Sequence, residues 1–129
     1  MYIKRDIEEK IIEASQQFAS ITVYGSRQVG KSTLIEKIFP EIEYDTLDDI
    51  EVRSYAISNP KEFLKYYGKP LIIDEIQKVP NLLEYIKIEI DEMKKNCLMN
   101  NEIKKLLYIL SGSNQFELQE AITESLAGR

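Results

Sequence analysis

Histidine and tryptophan are absent from this chain, cysteine occurs once, and glycine and proline number only five and four. Each shortage removes a class of function. Without histidine, Ser-His and Cys-His nucleophilic mechanisms have no base, and the usual zinc sites lose their commonest ligand. The single Cys97 excludes an intramolecular disulfide framework. It falls in a polar stretch that offers nothing to activate a thiol. No apolar run approaches the roughly 20 residues that span a bilayer. The N-terminal Met1-Tyr2-Ile3-Lys4-Arg5-Asp6 lacks the apolar core of a signal peptide, so a soluble cytoplasmic protein is expected. A net charge of −5 argues against a surface dominated by nucleic-acid contacts and leaves that partner unsupported. What remains, 129 residues with 43% hydrophobic content, is ordinary for one globular domain or part of one.

Against that background one stretch stands out. Gly25-Ser26-Arg27-Gln28-Val29-Gly30-Lys31-Ser32 matches G-x-x-x-x-G-K-[ST], and Thr33 follows it. Two glycines let the backbone curl so that successive N–H groups point inward at phosphate oxygens. A lysine at position 31 then reaches the β- and γ-phosphates, and a hydroxyl at Ser32 can join a Mg²⁺ shell. The flanks agree with this reading. Ile21-Thr22-Val23-Tyr24 is β-branched and aromatic, as a buried strand should be. Leu34, Ile35 and Ile38 recur at helical spacing, so the loop opens a helix whose N-terminal dipole faces the anion.

The rest of the chain alternates helices with strands. Residues 4–17 place Ile7, Ile11, Ile12 and nearby Ala14 on one helical stripe, and Arg5 reads as a solvated first-turn residue. Glu41 to Leu47 reads as a short strand with one partly exposed face. A helix around Val52, Tyr55 and Ile57 follows with Asp48 or Asp49 as cap, and Asn59-Pro60 opens another through Phe63, Leu64 and Tyr67. Leu71-Ile72-Ile73-Asp74-Glu75 is an apolar strand ending in two carboxylates. Pro80 begins a helix through Leu83, Ile86, Ile90 and Met93, residues 94–105 read as a polar surface connection, and Leu106 to Leu110 is a further buried strand. It ends in Ser111-Gly112-Ser113-Asn114, and a final amphipathic segment runs from Phe116 to Leu126.

This alternation predicts a mainly parallel sheet covered on both faces, and in such sheets ligands bind beyond the carboxyl ends of the strands. The phosphate loop, Asp74-Glu75 and Ser113-Asn114 would then meet at one edge. Asp74 is the type of carboxylate a Mg²⁺ ion takes beside phosphates, and Glu75 is placed to orient or deprotonate an attacking water. Ser113 and Asn114 either hydrogen-bond the γ-phosphate or the water as a sensor, or cap the following helix. Arg27 and Arg129 each carry a guanidinium that could stabilise charge developing in phosphoryl transfer.

With these motifs in place the chain resembles a bacterial and archaeal family of AAA-type ATPases whose members pair an ATPase domain with a C-terminal domain of uncharacterised function. The words that carry the resemblance are Tyr2-Ile-Lys-Arg5, Gly25 to Leu34, Leu47-Asp-Asp, Pro70-Leu-Ile-Ile-Asp-Glu-Ile-Gln77, Leu110-Ser-Gly-Ser-Asn-Gln-Phe116 and Glu124-Ser-Leu-Ala-Gly-Arg129. The resemblance implies a P-loop NTPase three-layer α/β sandwich. It also implies ATP as nucleotide, Lys31 with Ser32 or Thr33 as phosphate and Mg²⁺ groups, Asp74 and Glu75 as the acidic pair, and Ser113 or Asn114 as sensor. Arg129 would belong to a Leu-Ala-Gly-Arg ending typical of the family. Ser26 stands where relatives often carry proline, a change the loop accommodates. Relatives continue beyond this ending into another strand beside the first and then a second domain, so residues 1–129 read as a C-terminally incomplete ATPase domain prone to self-association along the uncovered edge. Two competing readings are a remnant that binds nucleotide without turnover and a P-loop phosphotransferase; Glu75, and the lack of a basic lid after Asp74, weigh against the latter. What such an ATPase acts on, including any protein partner, is not written in these residues.

Overall fold

Alternation of side chains along two strands decides how this chain layers itself. A computed structural model describes residues 2–24, 31–102 and 105–112. They form helix α1 (Tyr2–Gln17), strand β1 (Ser20–Tyr24), α2 (Lys31–Ile38), β2 (Glu43–Thr46), α3 (Ile50–Ser58), α4 (Pro60–Tyr66), β3 (Leu71–Asp74), a single 3₁₀ turn (Ile76–Lys78), α5 (Leu82–Asn100) and β4 (Tyr108–Gly112). The four strands pair in the order β1-β4-β3-β2, and every pairing is parallel.

In β3 and β4, Leu71, Ile73, Tyr108 and Leu110 point to one face, where they pack with Ala56 of α3, Phe63 and Leu64 of α4, and Leu82, Leu83, Ile86 and Ile90 of α5. Their neighbours Ile72 and Ile109 point to the other, against Ile11 of α1 and Leu34 and Ile35 of α2. Because both faces are covered, β3 and β4 can be apolar nearly throughout, and all their residues are buried. This is the α/β sandwich of a P-loop NTPase-like fold, with helices on both sides of a parallel sheet.

Several local readings of the sequence need correction. Helix α5 does not stop at Met93: it runs through residues 94–100, so these are helix and not the surface connection that their polar composition predicts. Ile86, Ile90 and Cys97 are buried and Met93 packs against the core, so a stripe at helical spacing continues beneath the polar lysines and asparagines. The helix ends where Asn101 turns left-handed (φ 59°) and its N–H reaches the Cys97 carbonyl. In α3, Tyr55 and Ile57 are exposed and Ala56 is the buried residue, because Val52 and Ala56 form the inward i, i+4 pair. Among the described side chains of α1, Ile11 and Ala14 face inward and Ile12 is 42% exposed, while the side chain of Ile7 lies outside the described residues. Asp49 alone caps α3, accepting from the N–H groups of Glu51 (2.9 Å) and Val52 (3.2 Å). Asp48 instead pairs with Lys78 at 3.2 Å.

Among the described residues no helix is long and apolar enough to cross a membrane.

At the amino ends of β3 and β4 a polar cluster closes the core. Lys69 Nζ donates to the Leu64 and Tyr67 carbonyls, lies 3.9 Å from Glu89 and sits over the Tyr108 ring, whose hydroxyl donates to Glu89 at 2.6 Å. The Tyr67 hydroxyl donates to Asp45. Burial first, then these carboxylate partners, push the Tyr67 and Tyr108 hydroxyls well above their usual range, while burial holds Lys69 below its own against the pull of Glu89 and Glu43. The signs follow. Above about pH 10 the unfolded tyrosines ionise and the folded ones do not, so stability falls as pH rises. Lys69 acts the other way, adding stability as pH climbs toward 10.5 and nothing beyond it. We therefore expect a melting temperature that declines steadily above about pH 10. Tyr108→Phe, less stable at neutral pH, should show a shallower alkaline decline; a decline as steep as the wild type's would refute this assignment.

Candidate nucleotide site at the carboxyl edge of the sheet

Because β1, β4 and β3 are parallel neighbours, their carboxyl ends lie along one edge of the sheet. β1 ends at Tyr24, immediately before the Gly25 to Ser32 motif, and α2 begins at Lys31, within it. Residues 25–30 lie outside the described residues, which covers Gly25, Ser26, Arg27, Gln28, Val29 and Gly30. The backbone of Lys31 and Ser32 forms the first turn of α2, their side chains are not described, and Thr33 is exposed. The strand before the motif and the helix after it are both where the motif requires them.

The strand-end carboxylate is built by three strands. Asp74 has the same parity as Ile72, so the pleat aims it at the α2 face. Tyr44 pairs with Ile72 across β2 and β3, and its hydroxyl donates diagonally to Asp74 Oδ2 at 2.7 Å. Ser111 lies one step beyond the Ile73–Leu110 pair, and its hydroxyl donates to Asp74 Oδ1 at 2.6 Å. Asp74 is 6% exposed and Ser111 fully buried. Two neutral O–H donors from flanking strands thus hold one carboxylate and fix its plane.

Glu75 follows with a different geometry. Its backbone is left-handed, φ 57° and ψ 45°, an arrangement that costs a side-chain-bearing residue roughly 1–2 kcal/mol. This turns the chain off the sheet and into the 3₁₀ turn, where Lys78 N–H donates to the Glu75 carbonyl at 3.0 Å. The Glu75 side chain is only 2% exposed, and its Oε1 accepts from Gln77 Nε2 at 2.6 Å. A glycine would take this conformation more easily.

Ser113, Asn114, Arg129 and the segment from Phe116 to Leu126 lie outside the described residues, as does the side chain of Arg5. Sequence reasoning missed three partners: Tyr44, Ser111 and Gln77. Tyr44 carried a signal, being an aromatic in an alternating strand whose register puts it beside β3. Ser111 and Gln77 lay within the recognised words without a role attached to them.

A bound Mg²⁺ takes oxygen ligands, keeps several waters and needs only one or two protein carboxylates. Asp74 fits that demand as a hard, oriented oxygen donor at the edge that the phosphate motif shares. Among the described residues there is no group of three or more acidic, His or Cys side chains that could cage a metal by themselves.

No curated protein and no solved structure matches the chain. The sequence model of a family described as an AAA domain matches residues 17–129, from the end of α1 through the phosphate motif, Asp74-Glu75 and the terminal Arg129. Nucleotide binding in general is the property this domain type supports. On a match over most of its length, and with the parallel sheet and motif placement described above, the chain belongs to the AAA domain family.

Proposed function

We propose that this chain binds Mg·ATP at residues 25–33 and hydrolyses its terminal phosphoanhydride bond. The observation that carries the reading is the shared edge. The strand entering the phosphate motif, the strand ending in the clamped Asp74 and the left-handed Glu75, and the strand leading to Ser113 all open on it. On this reading the backbone N–H groups of the loop and the Lys31 ammonium bind the β- and γ-phosphates, with the N-terminus of α2 behind them. Ser32 and Asp74 would hold Mg²⁺, which when bound neutralises phosphate charge. Glu75 takes a proton from water as the water oxygen bonds to the γ-phosphorus and the bond to the β-γ bridging oxygen breaks, giving ADP and phosphate. Ser113 or Asn114 contacts the γ-phosphate, and Arg27 or Arg129 offsets the developing charge.

The test is calorimetric titration of the chain with Mg·ATP together with a phosphate-release assay. Saturable binding and phosphate release that EDTA abolishes are expected. Binding without release would leave a nucleotide-binding module, and no binding by a chain that melts cooperatively would overturn the reading.

A further inference from the structure

The 3₁₀ turn after β3 holds a side chain that the hydrolytic reading leaves unused. Ile76, fully buried in the core, anchors the turn, and backbone bonds from Lys78 to Glu75 (3.0 Å) and from Val79 to Ile76 (3.1 Å) close it. The turn brings Gln77 back over the residue two places earlier, so that its amide donates to Glu75 Oε1 at 2.6 Å. Glu75 itself is held in a backbone conformation that L residues rarely adopt.

We propose that Gln77 is a positioning residue for Glu75, holding the carboxylate in the orientation in which it receives a proton from the attacking water; this rests on the hydrolytic reading above. Two physical points support it. With Oε1 engaged, the last torsion of the glutamate, otherwise broad, is narrowed. The clamp is also local: donor, acceptor and the turn between them are three consecutive residues anchored by the buried Ile76 side chain. A base held by a second group is the arrangement through which side chains of ordinary reactivity become effective.

The experiment compares wild type, Gln77→Met and Gln77→Asn in steady-state Mg·ATP hydrolysis, with affinity measured by calorimetry. Gln77→Met keeps the length of the side chain and removes the donor. It should lower kcat by roughly 10- to 100-fold, the scale of a misplaced catalytic group. KM and the calorimetric Kd should stay within about twofold of wild type. Gln77→Asn keeps the donor on a shorter arm and should fall between the two. In a Glu75→Gln background, Gln77→Met should cause no further loss, because the group it positions is gone. Wild-type turnover by Gln77→Met, or an equal loss in both backgrounds, would overturn the proposal while leaving ATP hydrolysis standing. A wild-type chain that binds Mg·ATP and releases no phosphate overturns both. If Gln77→Met melts early, Gln77→Asn decides the matter: wild-type activity there in a folded chain, or an equal loss in the wild-type and Glu75→Gln backgrounds, counts against positioning.

Discussion

Replacing Glu75 by Gln is expected to lower the rate of phosphate release by roughly 10²- to 10⁴-fold, the usual contribution of a positioned general base. Affinity for Mg·ATP should change little. The substitution is close to isosteric, and an amide oxygen at position 75 can still accept from Gln77 Nε2, so the turn that holds the residue survives. The left-handed backbone at this position is retained as well, since glutamine and glutamate face the same steric cost there. What is lost is the ability to take a proton. A single-turnover assay with ATP at saturation isolates that step from binding. A variant that releases phosphate at the wild-type rate would remove Glu75 from the chemistry and leave its buried carboxylate a structural feature of the strand exit.

The second large effect is on affinity. Lys31→Ala removes the one lysine of the phosphate motif at the first residue of α2. A hydrogen bond to a charged group is worth about 1.5–3 kcal/mol. Mg·ATP binding should therefore weaken by about 10- to 150-fold, read directly as the ratio of calorimetric dissociation constants. Alanine has the highest helix propensity, so the first turn of α2 should not suffer and the melting curve of the ligand-free protein should be nearly unchanged. A Kd equal to that of wild type would mean that nucleotide, if bound at all, is bound elsewhere. The two variants separate the two jobs that the proposed function assigns to different parts of the edge, binding by Lys31 and proton transfer by Glu75.

How much of this was legible beforehand varies from element to element. The phosphate motif declares itself because its chemistry depends on a few residue types at fixed spacing within eight consecutive positions, flanked by a strand and a helix whose periodicities differ. Leu71-Ile72-Ile73-Asp74-Glu75 was legible for a similar reason: an apolar run ending abruptly in two acids is unusual along a single strand. The inward face of α3 was not. Tyr55 and Ile57 are larger and more hydrophobic than Ala56, yet Ala56, together with Val52, faces the core, because the rotation of a short helix is set by its neighbours α4 and β2. The extension of α5 was hidden by lysines and asparagines that sit on its solvent side while Cys97 continues the buried stripe.

By itself, then, the sequence determined the class of fold, the place of the G-x-x-x-x-G-K-S motif between a strand and a helix, and the identity of the two acids at the end of β3. These are matters of local composition and of periods of two and 3.6 residues, and they need no knowledge of what lies across the sheet. Only the tertiary structure decided that Tyr44 and Ser111, separated from Asp74 by 30 and 37 positions, would hold its two oxygens. It alone decided that Glu75 would turn left-handed and meet Gln77. The Asp74 partnerships depend on strand order and register. Both are set by which apolar faces the helices must cover, a condition that involves the whole chain at once and is written in no single stretch of it.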